Sequence, residues 1–148
     1  MNLPPIESLV RQLYGLGVIR RRLGAHALAE LGSQGFHALA AIHRHGPLRV
    51  TQVAEHIGVD LSVASRQVAA LEAAGHVERT ADERDRRAQI VAVTPQGQRA
   101  LRESHRRMVA AFEEALGDWS DEDVAALADG LQRLHASFGA EPAQRVAA

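Results

Sequence analysis

The alternation of apolar and polar positions divides the chain into a series of short, mostly helical segments. From Ile6 to about Leu31, the residues Ile6, Leu9, Val10, Leu13, Ile19 or Leu23, and Ala27 recur at mostly three- and four-residue steps, as on an amphipathic helix. Gly15, Gly17 and Gly24 weaken that helix by about 1 kcal/mol each relative to alanine, so it needs packing partners. A second helix runs from about Ser33 to His45 and is stopped by Gly46-Pro47. Leu48-Arg49-Val50 is long enough only for a strand stub, after which Thr51 is placed to cap a short helix through Ile57, with Gly58 behind it. The segment from Asp60 through Leu71 continues as a helix to Gly75, a residue suited to a left-handed cap. Two short helices joined by a glycine-containing turn make a helix-turn-helix.

The period then changes. His76 to Thr80 and Ala88 to Val93 have strand character, the second from its β-branched content, and the six charged residues Asp82-Glu83-Arg84-Asp85-Arg86-Arg87 between them form a hairpin tip. Thr94-Pro95 supplies an N-cap and a first-turn proline for a long helix to about Leu116. A last helix opens at Ser120, with Asp123 at the capping-box position and Trp119 stapled to Val124. The fold class that follows is mainly α with one small β-hairpin.

Composition narrows the chemistry. At 148 residues and 46% hydrophobic, the chain is sized for one compact domain or two small lobes. No apolar run reaches the roughly 18 residues of a membrane span and the amino terminus lacks a signal-like pattern, so a cytoplasmic location is expected. The absence of cysteine removes disulfides, thiolate metal sites and thiol-based sensing. The net charge of −1 hides an uneven distribution: Arg44 to Arg107 holds 11 Arg against 8 acids, whereas Met108 to Ala148 holds 2 Arg against 8 acids. A basic middle with an acidic tail suits a chain that meets phosphate with one part only.

On the helix after the turn, Ala64, Val68 and Leu71 form a stripe that faces a core with Val53, Ile57 and Val59. Ser62, Ser65, Arg66 and Ala69 share the opposite face: two hydroxyls, a guanidinium and a small residue that permits close approach. Such a helix fits a DNA major groove, where Arg66 can donate two bonds to guanine and Gln67 can pair with adenine. An arginine at the hairpin tip can enter the narrow minor groove, and Asp85, two residues before Arg87, is placed to orient its guanidinium through a bidentate pair.

Several motifs between about Leu48 and Gly97 coincide in one family: the Ala64-Ser65-Arg66 step, Leu71-Glu72 with Gly75, Val77 and Arg79, the Asp-Glu-Arg-Asp-Arg-Arg tip, and Val93-Thr94-Pro95-Gln96-Gly97. In these the chain resembles the multiple-antibiotic-resistance regulator (MarR) family of winged helix-turn-helix transcriptional regulators. The resemblance implies a homodimeric repressor on double-stranded DNA with a pseudo-palindromic operator. It implies a helical dimerisation region, residues 1–32 and 98–148, around a winged helix-turn-helix lobe at 33–97. It assigns DNA contacts to Thr51, Ser62, Val63, Ser65, Arg66 and Gln67, and to Arg84, Asp85, Arg86 and Arg87 of the wing, with Arg87 in the minor groove and Asp85 as its buttress. The stretch from Arg44 to Thr51 is a lesser phosphate contact. It also implies a small, often phenolic or anionic, effector in a cleft near Tyr14, Arg20, Phe36, His37 and His43.

Three alternatives compete with this reading. Some relatives sense zinc, and the eight histidines invite a metal-responsive regulator, but no His-x-x-x-His pair occurs and His43 and His45 point apart on a helix. A winged-helix protein-interaction module would favour large apolar anchors where residues 62, 65 and 66 are polar. An enzyme is disfavoured by the lack of a glycine-rich phosphate loop, a nucleophile elbow or a metal motif, and no cofactor or metal site is expected.

Overall fold

The computed structural model describes residues 4–27 and 31–139. Its elements follow in the order α1 (Pro5–Ala27), α2 (Gly32–His45), α3 (Val50–Ile57), α4 (Leu61–Ala73), β1 (Val77–Ala81), β2 (Gln89–Val93), α5 (Pro95–Ala115) and α6 (Asp121–Ser137). The described residues are mainly helical with one two-stranded antiparallel hairpin, the winged-helix arrangement. The stretch of the first helix expected beyond Ala27 falls on residues 28–30, outside the described residues.

Local chemistry sets most boundaries where the sequence puts them. Gly58 and Gly75 end α3 and α4 at φ of 67° and 77°, a region where a Cβ would be strained. Thr94 caps α5 by accepting the Gly97 N–H at 3.1 Å, and Ser120 caps α6 by accepting the Asp123 N–H at 3.1 Å. One cap differs from expectation. Arg49, not Thr51, is the N-cap of α3, and the Gln52 side chain accepts the Arg49 backbone N–H at 2.9 Å. A glutamine three residues on satisfies the orphan donor, so the threonine hydroxyl is not needed there and Thr51 stays exposed inside the first turn.

The core is drawn from all elements between α2 and α5. Leu39, Ile42, Val53, Val68, Val91 and Leu101 are fully buried, with Ala38, Leu48, Leu71 and Val77 around them. Each aliphatic side chain so buried contributes about 1.5–3 kcal/mol. Ala64 belongs to this interior, while Ile57 and Val59 are only partly covered. The hairpin pairs Val77 with Val93 through to Ala81 with Gln89, and Leu48 adds a single bridge to Val91, which is how the strand stub is used. Packing extends past residue 97 into Ala100, Leu101 and Ser104, so the first turns of α5 are continuous with the lobe that precedes them.

The ends of the chain behave differently. The stripe on α1 that predicts a packed helix is exposed: α1 rests on α5 and α2, yet Ile6, Leu9, Val10, Leu13 and Ile19 face solvent. Helix α6 buries no residue and also exposes Val124, Leu127 and Leu131.

Candidate nucleic-acid interface

Helix α4 sorts its side chains by angle. Ala64, Val68 and Leu71 point into the core, which leaves Ser62, Arg66 and Ala69 exposed and Ser65 half-buried on the far side. Val63 and Gln67 sit on the flank, since each residue turns about 100° from the last. Both line the same two cavities beside α2, and the Gln67 amide oxygen is buried. The expectation that Gln67 reaches adenine is therefore corrected: its amide oxygen is buried beside α2, whereas Ser62 and Arg66 are exposed.

The hairpin is fastened to this helix. Arg79 on β1 donates from Nε to Glu72 of α4 at 2.8 Å. At the tip the backbone closes on itself, with Asp82 N–H to Ala88 O at 2.9 Å, Asp85 N–H to Asp82 O at 3.2 Å and Ala88 N–H to Asp85 O at 2.8 Å. Arg84, Arg86 and Arg87 are exposed, and no ion pair holds their guanidinium groups among the described residues. The expected pairing of Asp85 with the Arg87 guanidinium does not form. Asp85 Oδ1 instead accepts the Arg87 backbone N–H at 3.1 Å, because a two-residue separation in a tight turn brings a carboxylate to the main chain before it reaches a long side chain.

A residue expected only as part of the Arg44 to Thr51 phosphate-contact stretch completes the tip. Arg49, in the stub before α3, donates from Nη2 and Nε to Asp82 Oδ2 at 2.7 and 3.2 Å, and lies 3.8 Å from Asp85. Asp82 Oδ1 accepts the Arg84 backbone N–H at 2.9 Å. The Arg49 guanidinium, followed by the Arg84 N–H, holds the Asp82 carboxyl below its ordinary range, and the same hydrogen bond raises Arg49. The signal in the sequence was the three acids set among the tip arginines, but a partner 33 residues away in the chain is visible only once β2 bridges to Leu48.

Of the five expected effector residues, Arg20, Phe36 and His37 line one cavity of about 500 Å³. Arg44, His45, His56 and Gln67 join them there, and His45 stacks on His56 with ring centroids 3.9 Å apart. Tyr14, 84% exposed, and His43 are not part of that lining. Among the described residues no three His, Asp or Glu side chains are grouped to hold a metal, and no helix is long and apolar enough to cross a membrane.

Known proteins share this arrangement. Residues 31–88 match the MarR family model. Over 133 residues the chain is 28% identical to the uncharacterized HTH-type transcriptional regulator YxaD of Bacillus subtilis, covering 90% of each. A MarR family protein from Bacillus stearothermophilus superposes with a TM-score of 0.80 at 21% identity, over 94% of this chain and 99% of that one. The transcriptional regulator BldR from Sulfolobus solfataricus gives a TM-score of 0.72 at 26% identity, over 91% and 99%. Its winged helix matches the MarR family model and 90% of its length aligns with a helix-turn-helix transcriptional regulator, so the chain is similar to MarR family regulators in both sequence and fold.

Proposed function

We propose that the chain works as a homodimeric repressor that binds a pseudo-palindromic operator in double-stranded DNA and is released from it by a small-molecule effector. The observation that carries this reading is the pairing of two reading elements. A helix presents Ser62, Ser65 and Arg66 to the outside, and a hairpin fastened to it by Glu72–Arg79 presents three exposed arginines without ion-pair partners among the described residues. In this reading Ser62, Ser65 and Arg66 address the major groove, and Arg87, with Arg84 and Arg86 beside it, addresses the flanking minor groove, where phosphates of both strands concentrate negative potential. Thr51, exposed in the first turn of α3, and Val63 at the edge of α4 contribute phosphate and packing contacts. No catalytic step or cofactor is involved, and the protein acts in the cytoplasm, where its DNA lies.

The apolar faces of α1 and α6 support the homodimer. Two helices that expose this much aliphatic surface need a second copy to cover it, and a two-fold interface does so with one patch. Residues 1–32 and 98–148 then form the dimerisation region and 33–97 the DNA-binding lobe. The cavity lined by Arg20, Phe36, His37 and Arg44 lies where α1 of the first region meets α2, α3 and α4 of the second, so an anionic effector held there can bias the spacing of the two lobes.

Selection of bound duplexes from a random pool by the full chain tests the reading. It is expected to return an inverted repeat with half-sites about one helical turn apart, roughly 10 base pairs. Arg66→Ala should return a degenerate consensus; the same consensus from that variant would remove Arg66 from base reading, and no enrichment by the parent chain would overturn the proposal.

A further inference from the structure

The wing tip is electrically self-cancelling as a sequence, since Asp82, Glu83 and Asp85 match Arg84, Arg86 and Arg87 in number. Its bonding is not self-contained. The two acids that order the tip both face Arg49, at 2.7 and 3.8 Å, and each uses its other oxygen on the main chain of a wing arginine: Asp82 on the Arg84 N–H, Asp85 on the Arg87 N–H. The Asp82 side chain is 15% exposed and accepts on both oxygens, whereas Arg84, Arg86 and Arg87 remain in solvent. Arg49 itself sits at the N-cap of α3, one residue after the Leu48–Val91 bridge, so its backbone is anchored in the core.

We propose that Arg49 is a positioning residue for the wing: from the start of α3 it gathers Asp82 and Asp85, orders the turn that carries Arg84 and Arg87, and by neutralising those acids leaves the tip positive toward DNA. Its guanidinium is engaged by carboxylates and is not itself a phosphate contact. A fork-shaped guanidinium suits the task, because Nε and Nη2 together hold one Asp82 oxygen while Nη2 also lies 3.8 Å from Asp85 Oδ2. The functional half of the proposal rests on the wing as a minor-groove reader; the ordering half does not.

Amide hydrogen exchange on the full chain without DNA tests the ordering. Arg49→Ala and, as a milder change that keeps the Arg84 cap, Asp82→Asn should each speed exchange at the Arg84 and Arg87 amides about tenfold, the scale of one charge-assisted hydrogen bond, while Val53 and Val91 keep their protection. The double variant should exchange no faster than either single one, because the two residues act through one link. Unchanged tip amides, or losses that add, would overturn the proposal. With a duplex selected by the parent chain, methylation protection separates the two reading heads. Arg49→Ala should lose protection of adenine N3 at the site's flanks and keep that of guanine N7. Weakened binding with flank protection intact would mean that Arg49 touches phosphate directly, against the proposal. A parent chain that selects no duplex would count against DNA reading alone, and the exchange result would still decide the role of Arg49.

Discussion

Single residues carry the sharpest consequences. Arg87 is exposed at the tip with no carboxylate on its guanidinium among the described residues, so Arg87→Ala should weaken operator binding and lower the slope of log affinity against log salt by about 1. A salt series with the parent slope would remove Arg87 from the interface. Gly97 is constrained from the inside: a Cβ there would collide with the His76 carbonyl oxygen and stand 2.9 Å from Val93 Cγ1. Gly97→Ala must push the hairpin exit off α5, and urea melts should show a loss of about 1–3 kcal/mol or more. Asp82 gives a pH signature. Its folded value is depressed, so its contribution is complete above the ordinary value of 3.8 and is lost as pH falls through the lower folded value. Parent and Asp82→Asn should therefore differ by a constant amount from pH 7 to about pH 5 and converge only in acid below that. Convergence near neutrality would mean that another group controls the tip.

Between elements, the joints lie where chain reversals meet. Thr94 serves two helices at once: its hydroxyl accepts the Gly97 N–H that starts α5 and donates at 2.6 Å to the Gly75 carbonyl that ends α4. Thr94→Ala should cost about 1–2 kcal/mol in thermal or urea unfolding, at the upper end of N-cap losses because the Gly75 carbonyl is left without its partner too. Thr94→Ser, which keeps the hydroxyl, should recover most of it. The wing is held in the same way at three points, by the strand pairing of β1 with β2, by Arg79 to Glu72, and by Arg49 to Asp82. These contacts tie helix α4 and the hairpin into one unit, which under the proposed function an effector would displace without bending either.

For the whole molecule the question is what covers the terminal helices. Helix α6 has no buried residue yet repeats Val124, Leu127 and Leu131 on one face, and α1 does likewise with Leu9, Val10, Leu13 and Leu16. On the proposed dimer these faces are interior. Leu127→Glu with Leu131→Glu should shift sedimentation from dimer to monomer at micromolar concentration and abolish operator binding, with the lobe core intact by amide protection of Leu39 and Val68. A chain that sediments as a monomer before any substitution would refute the two-fold arrangement.

What was legible in the sequence was what depends on near neighbours. The 3.6 and 2.0 periods located the helices and the hairpin, and Gly58, Gly75, Thr94 and Ser120 marked their ends, because capping and left-handed backbone are decided within a few residues. The outward face of α4 and the charged tip were legible for the same reason. Tertiary structure alone decided the rest. It turned Gln67 toward α2, gave the N-cap of α3 to Arg49, set Asp85 on the Arg87 main chain, and recruited Arg49 to Asp82 across 33 residues. Those outcomes depend on which surfaces the core brings together, and no local pattern encodes a distance between residues whose elements have yet to pack.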